Sequence, residues 1–205
     1  MLAVKNLACL RGERCLFSDL SFQLSKGGLM HLVGSNGIGK SSLLRLLAGF
    51  SYPLAGQVLW DGNAIEDDVA GYRQNLVFLQ DQAPLKKQLS PRNHLKFWRD
   101  LLTFEDGDPN QLGLTEVADI PSRWLSYGQK RRSSFQLLSE TRPLWLLDEP
   151  FVGLDHQGVE MLLTKIDHHR QKDGMIILTS HIRLDIVDAI TLNLADFSAN
   201  TAVNS

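Results

Sequence analysis

Residues 34–41 read GSNGIGKS and lie between an apolar stretch, LMHLV (29–33), and a leucine-rich stretch, SSLLRLLAGF (41–50). This G-x-x-x-x-G-K-[ST] pattern, between a strand and a helix, is typical of a loop that binds phosphate. Its glycines let backbone N–H groups surround an oxyanion, and the helix N-terminus adds partial positive charge. The sequence therefore predicts a nucleoside triphosphate site, with these binding residues: Gly34, Ser35, Asn36, Gly37, Ile38, Gly39, Lys40, Ser41 and Ser42.

An apolar stretch that ends in two carboxylates, LWLLDE (144–149), supplies the second acidic motif of such a site. Lys40 is expected to reach the β- and γ-phosphates, while the Ser41 hydroxyl and the Asp148 carboxylate are expected to hold Mg²⁺. If the strand geometry continues, Glu149 points to the opposite side from Asp148. We expect Glu149 to polarise an attacking water as a general base.

Strands and helices alternate along most of the chain. The first thirty residues alternate apolar and polar side chains and are expected to form short strands. Two apolar strands, PLWLLDEP (143–150) and MIILTSH (175–181), flank an amphipathic helix, GVEMLLTKIDHHRQK (158–172). A strand–helix–strand order implies parallel pairing, so the pattern predicts an α/β core with ligands at the carboxyl ends of the strands.

The region from 84 to 140 has a different pattern. The stretches HLKFWRDLL (94–102) and QKRRSSFQLLSE (129–140) have helical character. We expect a mostly helical subdomain here, inserted into one domain that spans residues 1–205. The nucleotide-binding core is then formed by residues 1–83 and 141–205.

Composition narrows the possible partners. A net charge of −2 argues against a dedicated nucleic-acid binder, and the basic run at 130–132 is expected to be a solvated helix face. The two cysteines, Cys9 and Cys15, are too few for a disulfide framework, which favours a reducing compartment. No apolar run reaches the 18 residues of a spanning helix, so membrane association is expected to come through a partner.

Five motifs in a fixed order resemble those of the ATP-binding subunits of ABC transporters. They are GSNGIGKSS (34–42), LSYGQ (125–129), LLDEP (146–150), GLD (153–155) and TSH (179–181). The resemblance covers essentially the whole chain. It implies the P-loop ABC ATPase fold: a RecA-like core with a parallel sheet, an N-terminal antiparallel β subdomain and an inserted helical subdomain.

The resemblance also implies roles for single residues and a dimer. In the family, residues of the LSGGQ signature contact the ATP held by a second copy, so we expect a homodimer with ATP and Mg²⁺ as cofactors. The implied roles are catalysis by Glu149 and His181, the latter sensing the γ-phosphate; a D-loop aspartate, Asp155; and signature residues that act in trans, Ser126, Gly128 and Gln129.

At three places the sequence departs from the family pattern. The family's Mg²⁺-contacting glutamine falls within Gln80, Asp81 and Gln82, and we predict Gln82. Arg11 stands where many members stack adenine on an aromatic residue; a guanidinium can stack on a base as well. Tyr127 replaces the first signature glycine, and its side chain is expected to project at a crowded interface.

Within the family the chain is most similar to the ATPase subunits of cytochrome c maturation (haem exporter) complexes. The stretches that carry this resemblance are GSNGIGKSSLLRLLAG (34–49), AGQVLWDG (55–62), PLKKQLS (84–90) and DIPSRWLSYGQKRR (119–132). This implies a peripheral ATPase on the cytoplasmic face of a bacterial inner membrane. The implied membrane partners are CcmB, CcmC and CcmD, and ATP hydrolysis is linked to release of the haem-loaded chaperone CcmE. The ATPase of another small-substrate transporter and a non-transport ABC switch remain alternatives.

Overall fold

Two β-sheets, one antiparallel and one parallel, organise the chain. The computed structural model describes residues 1–102, 109–181 and 186–198. The antiparallel sheet has the order β2-β1-β4-β5, and the parallel sheet has the order β6-β7-β8-β3-β9. The strands are β1 (Leu2–Arg11), β2 (Arg14–Leu24), β3 (Leu29–Val33), β4 (Ala55–Trp60), β5 (Asn63–Ala64), β6 (Leu76–Leu79), β7 (Leu144–Leu147), β8 (Met175–Thr179) and β9 (Ala189–Asn193).

Five α-helices lie in the described residues: α1 (Lys40–Leu47), α2 (Val69–Arg73), α3 (Pro91–Leu102), α4 (Tyr127–Ser134) and α5 (His156–Gln171). Short 3₁₀ turns lie between them at Ile65–Asp68, Pro109–Leu112, Thr115–Val117, Ser122–Trp124 and Phe135–Leu137, and a last one follows β9 at Leu194–Phe197. None of these helices has the length and apolar character that crossing a membrane requires.

The parallel sheet forms the centre of the core because its middle strands are apolar on both faces. Every residue of β7 and β8 is buried, as expected for a parallel sheet covered on both sides. The leucines of α1 pack into one apolar cluster with β1, β2 and β3, while Leu162 and Ile166 of α5 pack into a second cluster with β7 and β8. The predicted α/β fold, with an antiparallel sheet before a parallel one, is confirmed.

Parallel pairing places all the carboxyl ends of these strands at one edge. Strand β7 runs in register with β6 on one side and β8 on the other, and β8 then pairs with β3. The phosphate loop, residues 34–41, follows β3, and the two acidic residues follow β7. The sheet order thus brings together motifs that lie more than a hundred positions apart.

The described part of segment 84–140 contains α3, α4 and four of the 3₁₀ turns, and no strand. Its helical character agrees with expectation, whereas the exact division at 84 and 140 stays a prediction. Strand β9, the short strand β5 and helix α2 were not predicted.

Candidate nucleotide site and signature turn

A cavity of about 270 Å³ lies at the carboxyl edge of the parallel sheet. Each loop that leaves β3, β6, β7 or β8 at this edge contributes to its wall. The lining residues are Arg11, Asn36, Gly37, Gly39, Lys40, Ser41, Ser42, Asp81, Asp148, Glu149 and His181. Most of the predicted nucleotide-binding residues are therefore brought together, including Arg11 at the end of β1.

The phosphate loop has a backbone that only glycine tolerates at its last turn. Gly39 caps α1 with φ 121°, and a Cβ there would lie 3.2 Å from the Leu16 Cβ. The Lys40 side chain is buried, and its Nζ donates to the carbonyl of Gly34 at 2.7 Å and to that of Ser35 at 3.3 Å. The ammonium is thus held by its own loop, beside the cavity.

One hydroxyl of β8 orders both acidic residues. The Thr179 Oγ1 donates to Asp148 Oδ1 at 2.9 Å and accepts from the Glu149 backbone N–H at 2.8 Å. Asp148 also continues the sheet pairing, because its N–H donates to the Leu79 carbonyl at 2.8 Å. Thr179 is fully buried, so its hydroxyl is shielded from water.

Glu149 does not continue the strand. Strand β7 ends at Leu147, and Glu149 has φ 47°, in the left-handed region. The expectation that it points away from Asp148 was therefore wrong: both side chains line the same cavity. The Glu149 Oε1 lies 3.2 Å from His181 Nε2. A non-glycine residue in this conformation costs on the order of 1–3 kcal/mol, which surrounding contacts must offset.

Arg131 supplies such contacts, contrary to the expectation of a solvated face at 130–132. It is 1% exposed, and its guanidinium donates to five backbone carbonyls, those of Gln80, Asp81, Asp148, Glu149 and Pro150. A charged side chain is buried only when its donors are satisfied, and here backbone oxygens satisfy them. Composition alone gives no sign of this, because the acceptors lie on two distant loops.

The signature turn, residues 125–129, begins α4 through a capping box. The Ser126 Oγ accepts from the Gln129 N–H at 3.2 Å, and the Gln129 Oε1 accepts from the Ser126 N–H at 2.9 Å. The S-x-x-Q spacing is itself the sequence signal of this cap. Although Ser126, Gly128 and Gln129 all lie in the described part of the chain, none of them lines the cavity.

Two glycines allow the signature turn to approach the loop after β7. A Cβ on Gly128 would lie 2.7 Å from the Gly153 carbonyl oxygen, and a Cβ on Gly153 would overlap the Tyr127 ring. The Tyr127 hydroxyl donates to Asp81 Oδ1 at 3.4 Å. Burial and the neighbouring Asp81 raise the pKa of Tyr127. Although half exposed, Tyr127 thus contacts two loops of its own chain.

The expected D-loop aspartate caps a helix. The Asp155 Oδ1 accepts from the Gly158 N–H at 2.9 Å at the start of α5, and Asp155 Oδ2 lies 3.8 Å from Arg132 Nη2 of α4. Asp155 therefore stands between the signature helix and α5, and its D-loop role stays a prediction.

After β6 the structure brings Asp81, rather than Gln82, to the nucleotide cavity. Gln82 is exposed and lines a neighbouring cavity of about 190 Å³ with Ala83, Tyr127 and Lys130. Asp81 lines both cavities. The assignment of Gln82 as a Mg²⁺ ligand stays a prediction, and this arrangement does not place it beside Ser41 and Asp148.

Comparisons with known proteins agree with this geometry. Residues 17–152 match the family model described as ABC transporter. The chain belongs to the ABC transporter family. It is 38% identical over 205 residues to the cytochrome c biogenesis ATP-binding export protein CcmA of Haemophilus influenzae, covering 97% of each chain. To the protein of the same name from Escherichia coli O157:H7 it is 41% identical over 197 residues, covering 92% of this chain and 93% of that one.

Solved structures of ABC ATPases have the same fold. An ABC transporter ATP-binding protein from Pyrococcus furiosus superposes with a TM-score of 0.79 at 23% identity, over 96% of this chain and 98% of that one. A dimeric ATP-binding cassette in a post-hydrolysis state, bound to ADP and Pi, superposes with a TM-score of 0.74 at 19% identity, over 89% and 88%.

Proposed function

We propose that this ABC ATPase hydrolyses ATP as a homodimer and drives haem handling for c-type cytochrome biogenesis. The observation that carries the ATPase proposal is the single cavity that joins Lys40, Ser41, Asp148, Glu149 and His181. The haem proposal is supported by full-length relatives that are named as cytochrome c biogenesis export proteins.

The chain's own residues account for binding and for activation of water. Backbone N–H groups of the phosphate loop and the Lys40 ammonium bind the β- and γ-phosphates. The Glu149 carboxylate accepts a proton from the attacking water, and His181, whose Nε2 lies 3.2 Å from the Glu149 Oε1, contacts the γ-phosphate. Thr179 holds both acidic residues in place through the hydrogen bonds described above.

The donor set at the cavity fits Mg²⁺, because hard cations take hydroxyl and carboxylate oxygens. Ser41 and Asp148 would hold the ion; both line the cavity. When bound, Mg²⁺ neutralises charge that develops between the β- and γ-phosphates. Gln82 is the third proposed ligand and would have to move towards the cavity to take that role.

A second copy completes the site. The signature turn lies off the cavity of its own chain, and its free groups suit an anion. The Ser126 Oγ accepts a hydrogen bond within the capping box, which leaves its O–H free to donate. We assign Ser126, Gly128 and Gln129 to the γ-phosphate held by the other copy. A dimeric neighbour with bound ADP and Pi supports this arrangement.

The membrane partners would be integral subunits of the CcmB, CcmC and CcmD kind, with the chain at the cytoplasmic face of a bacterial inner membrane. Helical segment 84–140, with PLKKQLSPRN (84–93) at its entry, would be the docking surface. In this setting ATP hydrolysis would be coupled to release of a haem-loaded chaperone.

Glu149→Gln tests the ATPase proposal. The amide keeps the shape of the side chain but accepts no proton, so turnover should fall by about 10²–10⁴-fold while ATP binding persists. The matched control is Glu160→Gln, an exposed glutamate on α5, which should leave the rate unchanged. Unchanged turnover in Glu149→Gln would contradict the catalytic assignment.

Deletion of the gene in its own host tests the haem proposal. Membranes of the deletion strain should lack covalently bound haem in c-type cytochromes, and expression of the wild-type chain, but not of Glu149→Gln, should restore it. The tagged wild-type chain should be recovered with integral membrane proteins. Normal c-type cytochromes, or recovery with ribosomes, would contradict the haem assignment.

A further inference from the structure

Arg131 bonds to both of the loops that carry acidic residues into the cavity. Its Nη1 donates to the Gln80 and Asp81 carbonyls at 2.6 and 2.8 Å. Its Nη2 donates to the Asp148 and Glu149 carbonyls, each at 2.8 Å. Its Nε donates to the Pro150 carbonyl at 3.3 Å. One side chain of the signature helix therefore connects the loop after β6 with the loop after β7.

Only a guanidinium can make this set of contacts. Arginine has five N–H donors in a rigid planar fork, whereas lysine presents a compact ammonium with three donors. Burial lowers the pKa of the Arg131 guanidinium, while nearby Tyr127, Asp81, Asp148 and Glu149 raise it. Carbonyl oxygens accept its hydrogen bonds, and the nearby carboxylates of Asp81, Asp148 and Glu149 also favour the cation.

Two of these bonds flank the Glu149 residue itself. With φ 47°, its backbone is in a conformation that most residues avoid, so it persists only if its neighbours fix it. Arg131 fixes the carbonyls before and after the Glu149 Cα, and Thr179 Oγ1 fixes its N–H at 2.8 Å. Every polar backbone group around this residue is thus anchored from outside its own loop.

We propose that Arg131 is a positioning residue of the ATPase, which holds Glu149 in its left-handed conformation so that the carboxylate faces the cavity. This inference rests on the proposed hydrolysis of ATP. Arg131 is not among the residues that line the nucleotide cavity, and it acts through the backbone of Glu149. Because it belongs to α4, it also ties the position of the signature helix to that of the catalytic carboxylate of the same chain.

The signature turn itself does not depend on Arg131. Its shape is set by the capping box of Ser126 and Gln129 in the first turn of α4, whereas Arg131 lies in the second turn. Loss of the guanidinium should therefore affect the placement of Glu149 while leaving the surface that a second copy meets. The phosphate loop is not bonded to Arg131 either, so ATP binding should persist.

The test is Arg131→Lys in the full-length chain, measured by steady-state ATPase kinetics and thermal unfolding. We expect kcat to fall about tenfold or more, with KM for ATP within about threefold, because an interaction needed only for the chemical step is lost. If the lysine variant does not fold, Arg131→Gln takes its place, since its amide still donates to a carbonyl.

Arg142→Lys is the matched control. The Arg142 guanidinium also bonds to backbone carbonyls, those of Arg73, Gln74 and Leu76, but at the start of β6, away from the cavity. We expect it to lower Tm by as much as the Arg131 variant while kcat stays near that of the wild type. Equal losses of kcat in both variants would reduce Arg131 to a general stabilising residue and overturn the proposal.

A second readout separates positioning from dimer formation. In the Glu149→Gln background, ATP should trap a dimer, and adding Arg131→Lys should leave the trapped fraction unchanged. Loss of the trapped dimer, an unchanged kcat, or a raised KM with unchanged kcat would each overturn the proposal. A wild-type chain without ATPase activity would instead contradict the proposed function, and this inference would fall with it.

Discussion

The ring of Tyr127 lies directly against Gly153, at a distance that leaves no room for a Cβ on the glycine. The contact joins the signature turn to the loop between β7 and α5, and the Tyr127 hydroxyl adds a bond to Asp81. In the family a glycine stands at the position of Tyr127. This chain therefore carries an additional link within one copy, between the signature turn, which we propose to act on the ATP of a second copy, and two loops at its own cavity.

Replacing Gly153 tests that link. Gly153→Ala should destabilise the chain by about 1–3 kcal/mol through overlap with the Tyr127 ring, in addition to the strain of a left-handed alanine. In the Tyr127→Gly background the overlap disappears, so the same substitution should cost less. Urea unfolding of the four chains gives the coupling energy.

Gly12→Ala is the control for backbone strain alone. Gly12 has φ 61°, similar to the 75° of Gly153, but a Cβ there would meet nothing within 4 Å. The loss of unfolding free energy caused by Gly12→Ala should be the same with Tyr127 and with Tyr127→Gly. Equal costs of Gly153→Ala in both backgrounds would show that the ring contact contributes nothing to stability.

Ser126 has two proposed tasks that one substitution can separate. Aspartate is as good an N-cap as serine, so Ser126→Asp should keep Tm within about 2 °C of the wild type. Its negative charge would face the γ-phosphate of the partner copy, so ATP-driven dimer formation and turnover should be lost. Ser126→Ala should instead cost about 1 kcal/mol in the free energy of unfolding.

Sedimentation of the Glu149→Gln chain, with and without Ser126→Asp, measures the dimer in the presence of ATP. A stable Ser126→Asp chain that still forms the ATP dimer would place the signature turn away from the phosphate. If Ser126→Asp lowers both the stability and the fraction of dimer, loss of the N-cap of α4 is enough to explain the result.

His169 should make stability dependent on pH. Its ring is buried and stacks on Trp145 with a centroid distance of 3.8 Å, and burial lowers its pKa from 6.5 to about 4. The folded chain keeps the ring neutral while the unfolded chain protonates near 6.5. The contribution of the neutral ring to the free energy of unfolding is therefore fully present above pH 6.5 and is lost as the pH falls towards 4. At pH 5 we expect about 2 kcal/mol of it to be lost.

His169→Phe should remove this dependence, because the ring stays stacked but no longer binds a proton. Urea unfolding at about pH 7.5 and about pH 5 gives the difference in unfolding free energy for each chain. The control is His156→Gln on the first turn of the same helix, where the side chain is exposed. If the His169→Phe chain shows the same pH dependence of unfolding free energy as the wild type, that dependence comes from other groups.

Much of the site could be predicted from the sequence because its motifs are local. The glycines and the lysine of the phosphate loop all lie within eight positions, 34–41. The stretch LWLLDE (144–149) likewise contains both an apolar strand and the two carboxylates that follow it. The alternation of strands and helices then fixes the parallel sheet, which brings these motifs to one edge. Asp148, Glu149 and His181 thus reach the expected cavity, and Arg11 reaches it from the end of β1 in the antiparallel sheet.

The remaining features depend on contacts between distant loops, which no local pattern records. Arg131 has the sequence context of a solvated basic run, yet its acceptors lie on the loops after β6 and β7. The bonds from Arg131 to the carbonyls of Asp148 and Glu149 are those that we propose to hold Glu149 outside strand geometry. Around residues 80–82, a shift of one position decides which side chain faces the cavity. Because all three residues are polar, the sequence pattern does not show which of them it is.

Mixing two inactive variants tests whether the phosphate loop of one copy works with the signature turn of the other. Lys40→Met removes the cation at the phosphates, and Ser126→Asp blocks the signature turn. In a mixed dimer one site carries both defects and the other carries none. We expect each variant alone to be inactive, and an equal mixture to regain up to about a quarter of the wild-type ATPase activity, because half of the dimers are mixed and each has one intact site of two. No activity in the mixture, or full activity in a strictly monomeric chain, would contradict it.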